Sequence, residues 1–152
     1  MKLAEALALR ADLKKRFEHI RLRLIVSARV QEGDTPSEEP QELLQELATM
    51  LTSFENLVIN INRTNMTTTL ANGLTLTAAL ARRDALDLEL NALRELLEAA
   101  SNRFDRHTHT EIRVFSTVAI APLRQKVDAL SKTRRELDTQ IQGANRTTEL
   151  LE

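Results

Sequence analysis

Cysteine, tryptophan and tyrosine are absent from the 152 residues, and glycine and proline occur only three times each. The lack of cysteine excludes disulfides and thiolate metal sites and leaves the redox compartment open. Without Trp or Tyr, and with four Phe, the usual stacking platforms for bases and sugars are missing. A net charge of −1 provides no bulk field to recruit nucleic acid or an anionic membrane. No uncharged run is long enough to cross a bilayer. The acid and base in the opening Met1-Lys2-Leu3-Ala4-Glu5 argue against a signal peptide, so a cytoplasmic protein is expected.

What is present is Leu, Ala, Glu and Arg in helical rhythm. The length suits one domain, 1–152, and four amphipathic segments with short links predict an antiparallel four-helix bundle built from two helical hairpins. Leu9, Leu13, Phe17, Ile20, Leu24 and Ala28 recur at steps of three and four, predicting a first helix over about Leu3–Val30. Gly33 then ends it in a left-handed conformation. The second helix runs to about Thr64 through Leu43, Leu47, Leu51, Phe54, Leu57 or Val58, and Ile61. Its start reads either as a capping box at Thr35-Pro36-Ser37-Glu38 or as a first turn opening at Pro40. Glu38, Glu39, Glu42 and Glu46 make that start acidic, while Arg21, Arg23 and Arg29 make the end of helix one basic. An antiparallel hairpin places these ends side by side.

The stretch from Leu57 to Asn65 organises the rest, because its apolar stripe turns there into Asn, Arg and Thr. After it, Thr67 to Leu76 is rich in threonine and contains Asn72-Gly73, which predicts a β-hairpin of Thr68–Leu70 against Leu74–Leu76. A third helix over about Thr77–Phe104 carries Leu80, Leu86, Leu90, Leu93, Leu97 and Ala100. Glu111–Val118 alternates and is β-branched, which predicts one further short strand. Pro122 opens a last helix through Leu123, Val127, Leu130, Leu137, Ile141 and Ala144. An internal repeat, 1–66 and 76–152, aligns Leu3–Arg10 with Leu76–Arg83 and Asn62-Arg63-Thr64 with Asn145-Arg146-Thr147.

Two constellations carry chemistry. His107, His109 and Glu111 share one face if they lie on a strand, and two imidazoles with a carboxylate suit a divalent metal. The bland reading is a solvated link. Arg10 and Arg83 sit near the seams of helices one and three, and Asn62, Arg63, Asn65, Asn145 and Arg146 come from the far ends of helices two and four. In antiparallel hairpins Arg10 meets Asn62 or Asn65, and Arg83 meets Asn145, with Asp12 and Asp84 available to pair the arginines. Such a layer is either a hydrogen-bonded network that fixes register or an anion site, since arginine grips phosphate and carboxylate bidentately. Lys14-Lys15-Arg16 with Arg21 and Arg23 reads as a solvated face. No catalytic triad, phosphate loop or helical pair of Glu-x-x-His motifs is present.

Several pieces together resemble a family of small bacterial proteins of unknown function, some of whose members carry the label septicolysin. They are Leu3–Leu7 with Arg10–Leu13, Ala28–Gly33, Ile61–Asn65, Leu76–Asp84, Ser116–Val118 and the tail from Asn145. The resemblance spans nearly the whole chain. It implies no established activity, no cofactor and no catalytic residue; the label itself implies a cytolysin. The sequence therefore leads to a non-enzymatic, self-associating helical protein, a homo-oligomer through its β-segments, with no clear nucleic-acid or membrane partner. The alternative is a small-ligand or anion site, catalytic or not, at the Arg/Asn end, and the weaker one is membrane lysis.

Overall fold

A computed structural model describes residues 1–101 and 114–152. Four helices follow one another: α1 over Leu3–Val26, α2 over Pro40–Thr67, α3 over Leu76–Ser101 and α4 over Ile120–Thr147. The chain divides into two compact units. Unit 1 comprises Met1–Thr69 and Gly143–Glu152; unit 2 comprises Leu70–Gln142.

Unit 1 is built on α1 and α2. Every third and fourth residue of α1 is turned inward: Leu3, Ala6, Arg10, Leu13, Phe17, Ile20 and Leu24, with Ser27 just beyond the helix. On α2 the same alternation runs through Pro40, Leu43, Leu47, Met50, Phe54, Leu57, Ile61 and Thr64. A strict three-four alternation is a seven-residue repeat, which keeps one narrow stripe of each helix against its neighbour, as in a coiled coil. The sequence reading placed Leu9 and Leu51 in these stripes. Both lie beside the seam and are more than a third exposed, while Arg10 and Met50 take the inward positions.

The two helices run antiparallel. Arg23 near the end of α1 donates from Nε to both Glu38 oxygens (3.1 and 2.9 Å), and its guanidinium also reaches Glu46 (3.4 Å). This is the expected meeting of basic and acidic ends. The second helix starts at Pro40, with proline in its first turn and Glu39 as the flanking residue, and Gly33 takes φ +90° in the connection. In unit 2, α3 and α4 are antiparallel too, paired by Asp87–Arg134, Glu89–Lys126 and Arg94–Ser131. Their seam contains Leu76, Ala79, Arg83, Leu86 and Leu90 from α3, and Val127, Leu130, Arg134, Leu137 and Ile141 from α4.

The β-elements expected from the sequence are not present: the described residues contain no strand, only isolated bridges such as Lys2 with Glu149. The threonines at the end of α2 stay in the helix, where Thr64 is buried in the seam and their hydroxyls are satisfied by bonding back to it, Thr64 Oγ to Asn60 O (2.8 Å) and Thr67 Oγ to Arg63 O (3.1 Å). Thr68 then closes the helix through its amide and hydroxyl, both bonded to Thr64 O (2.9 and 2.8 Å). Asn72-Gly73 does form a tight turn, with Gly73 at φ +82° and Asn72 Oδ1 accepting from Leu74 N–H (3.1 Å). The turn joins helix ends instead of strands. Of the second predicted strand, Glu111–Arg113 lie outside the described residues. Val114–Val118 is not a strand, because Ser116 Oγ bonds to both the amide and the carbonyl of Val118 (3.2 and 2.7 Å) and curls the backbone. A homo-oligomer assembled by strand pairing therefore has no strands to use among the described residues.

Three carboxylates sit below their ordinary range: Glu38, chiefly through the hydrogen bond from Arg23; Asp87, chiefly through that from Arg134; and Glu149, chiefly through that from Lys2. A depressed carboxylate contributes stability above its unfolded pKa and loses it as pH falls through the folded value. Thermal melting followed by circular dichroism is expected to drop as pH is lowered below about 4, and to drop less steeply in a Glu38→Gln/Asp87→Asn variant. Parallel curves for the two proteins would show that these exposed pairs carry no net stability.

Candidate functional site

Aligned on their first residues, Leu3 on Leu76 and Pro40 on Ile120, the two hairpins bury equivalent positions: Leu3 and Leu76, Ala6 and Ala79, Leu13 and Leu86, Leu57 and Leu137, Ile61 and Ile141. In this register Asn65 matches Asn145 and Thr67 matches Thr147. The Asn-Arg-Thr spelling at 62–64 thus falls three residues out of phase with its copy at 145–147. Thr64 is buried in the seam whereas Thr147 is exposed.

The same comparison isolates one face on which the hairpins differ. In unit 2 this face is closed by charge. Arg134, inside the seam, donates to both oxygens of Asp87 (2.9 and 3.2 Å); Arg83, also inside the seam, contacts Asp84 (3.1 Å) and Asp138 (3.8 Å). Asp87 is held ionised by that bond, and Arg134 is pushed above its ordinary value by the same partner. In unit 1 Phe54 stands at the position of Arg134, Leu51 at that of Ser131 and Val58 at that of Asp138. The result is an apolar cleft of about 390 Å³ lined by Leu13, Phe17, Met50, Leu51 and Phe54, with Lys14 and Glu18 at its edge.

Arg10 is the unit 1 counterpart of Arg83. It is half-buried in the α1 seam, one helical turn from Lys14. Where Arg83 has Asp84 and Asp138, Arg10 has Ala11 and Val58. Among the described residues it makes no ion pair and no hydrogen bond to Asn62 or Asn65. Of the other residues singled out, Asn62, Arg63 and Arg146 are exposed, and Asn65 and Asn145 half-buried. His107, His109 and Glu111 lie outside the described residues.

A polar knot in unit 1 escaped the sequence reading. The tail after α4 lies along the start of α1: Leu3 N–H donates to Thr148 O and Leu150 N–H to Met1 O (both 2.9 Å), and Glu149 pairs with Lys2 and the Met1 ammonium. Thr64, buried in the α2 seam, accepts the amide of Leu151 at its hydroxyl (3.0 Å). The Asn-Arg-Thr stretch therefore contributes its threonine as an anchor for the tail. Its seven-residue spacing from Leu57 was the only signal in the sequence.

Residues 10–150 match the model of a family of unknown function (DUF6847). The chain is also similar to a solved structure described as a functionally unknown conserved protein from Corynebacterium diphtheriae, with 40% identity, 99% of each chain covered and a TM-score of 0.89. No curated protein matches it. Function is unknown in both cases, so neither brings an activity or a residue role. Among the described residues no helix is long and apolar enough to cross a membrane.

Proposed function

We propose that this chain, which belongs to the family of unknown function DUF6847, is a non-enzymatic, self-associating helical protein whose α1–α2 hairpin packs on helices of a second copy. The carrying observation is the width of the apolar stripe on α2. A two-helix coiled coil needs two inward positions in seven, whereas a helix packed in a larger bundle shows three. On α2 the third row is Leu44, Leu51 and Val58, each seven residues from the next and each directly beside a seam residue. Leu44 is 47% exposed and Leu51 43%. The equivalent row on α4 is Arg124, Ser131 and Asp138, which suits water and ion pairs. Each unit thus carries its own signature: unit 2 is finished as a hairpin, and unit 1 has a row to spare.

Native mass spectrometry and sedimentation, with helicity followed at 222 nm, test this reading. The wild-type chain is expected to be a dimer or higher oligomer across the micromolar range, and a Leu44→Gln/Leu51→Gln variant a monomer of unchanged helicity. A wild-type chain that stays monomeric throughout would overturn it. The second reading, a small anionic ligand at Arg10, is favoured by the missing carboxylates around that arginine. It predicts retained small mass in the native spectrum, lost in Arg10→Ala.

A further inference from the structure

We infer that Arg10 is an intermolecular socket, filled by Glu55 of a second copy of this chain; the inference rests on the self-association just described and names the contact that sets its register. Three observations lead there. Arg83 shows how this chain closes a seam arginine: one carboxylate beside it on its own helix, another across the seam. At Arg10 both carboxylates are replaced, by Ala11 and Val58, so a half-buried arginine, one turn before Lys14 at the edge of the apolar cleft, lacks both counter-charges. A cation in a partly desolvated position needs a counter-charge, and a planar fork selects a carboxylate.

The chain also supplies that counter-charge. Between Arg10 and Arg23, α1 holds six bases and two acids; the stretch from Glu38, just before α2, to Glu55 holds five acids and no base. A second copy laid α2 against α1 matches these signs. Glu38 and Glu46 are already engaged by Arg23. Glu55 is exposed and makes no ion pair among the described residues. It stands one turn beyond Leu51, on the same side of α2. With Leu51 of the second copy seated in the cleft, its Glu55 lies about 6 Å further along the helix axis. Arg10 lies four residues before Lys14 on the cleft wall, also about 6 Å along. The two offsets coincide when the incoming α2 runs antiparallel to α1, the direction α2 already takes within unit 1. A two-fold axis then makes the contact twice, Arg10 of each copy to Glu55 of the other.

A charge swap tests the pairing. Arg10→Glu and Glu55→Arg each place like charges at both contacts, and each variant alone is expected to associate at least about tenfold more weakly than wild type. Mixed together, they restore both contacts, one with its charges reversed and the other as the wild-type Arg10–Glu55 pair, and a heterodimer of near wild-type affinity is expected, read by native mass spectrometry from the two masses. Ala11→Asp offers a second route: at an exposed position it gives Arg10 the neighbour that Arg83 has in Asp84, and it too is expected to weaken association about tenfold. A dimeric wild type whose association neither variant alters, or a mixture without heterodimer, would overturn the Arg10–Glu55 contact and leave self-association standing. A monomeric wild type would overturn both.

Discussion

Replacing Ile61 with alanine is expected to cost about 3 kcal/mol of folding free energy, while Ile59→Ala costs less than about 0.5 kcal/mol. The residues are of one type, two apart on one helix. Ile61 is 1% exposed and sits in the α2 seam; Ile59 is 40% exposed on the outer side. Truncating Ile61 removes three buried carbons and leaves a void that helix backbones on either side cannot close. Truncating Ile59 removes atoms already in partial contact with water and improves local helix propensity, which offsets the loss. Urea unfolding followed at 222 nm measures both. Similar midpoints for the two variants would contradict the seven-residue assignment of α2.

The second effect is expected at Thr64→Val, at about 1 kcal/mol. Valine fills nearly the same volume and is equally branched, so packing is preserved. What disappears is one hydroxyl that donates to Asn60 O and accepts the amide of Leu151. The Asn60 carbonyl keeps a partner in the helix ladder. The Leu151 amide loses an acceptor that is itself buried, but Leu151 is 45% exposed, so water replaces part of the bond and the cost stays near the low end for an unpaired donor. Hydrogen exchange gives a specific reading: the amides of Leu150 and Leu151 are expected to exchange faster in Thr64→Val, while that of Leu13 slows or speeds only with global stability. Unchanged protection of Leu150 and Leu151 would mean that Thr64 does not hold the tail.

The helices were legible in the sequence because their signals are local. The periodic Leu, Ile and Val positions and the opposed charge at Arg23 and Glu38 depend on a few turns of chain. The β-rich reading of Thr67–Leu76 failed because β-branching is a weak preference. Threonine in particular joins a helix by bonding its hydroxyl to the carbonyl four residues back. Leu9 and Leu51 were drawn into the stripes because hydrophobicity alone does not distinguish a seam from the row beside it. Arg10 and Met50 show that the phase of the repeat decides, and an arginine can occupy an inward position when its stem is covered and its head reaches out. Arg10 and Arg83 fall at the same position when α1 and α3 are aligned on their first residues, yet the difference that matters lies in their neighbours, Ala11 and Val58 against Asp84 and Asp138. Those became comparable only when the helix bounds fixed which residue of α2 matches which of α4.

The even three-four alternation carries a geometric obligation. Seven residues of a straight α-helix turn roughly 20° short of two full revolutions, so a stripe kept in contact over successive heptads must wind around its neighbour with a left-handed supercoil. It follows that each hairpin tolerates changes of length only in certain steps. One residue inserted between Leu13 and Phe17 would swing everything beyond it by about 100° and carry Ile20 out of the seam. Seven residues inserted at matching levels of α1 and α2 would lengthen the hairpin by about 10 Å and leave every inward position inward.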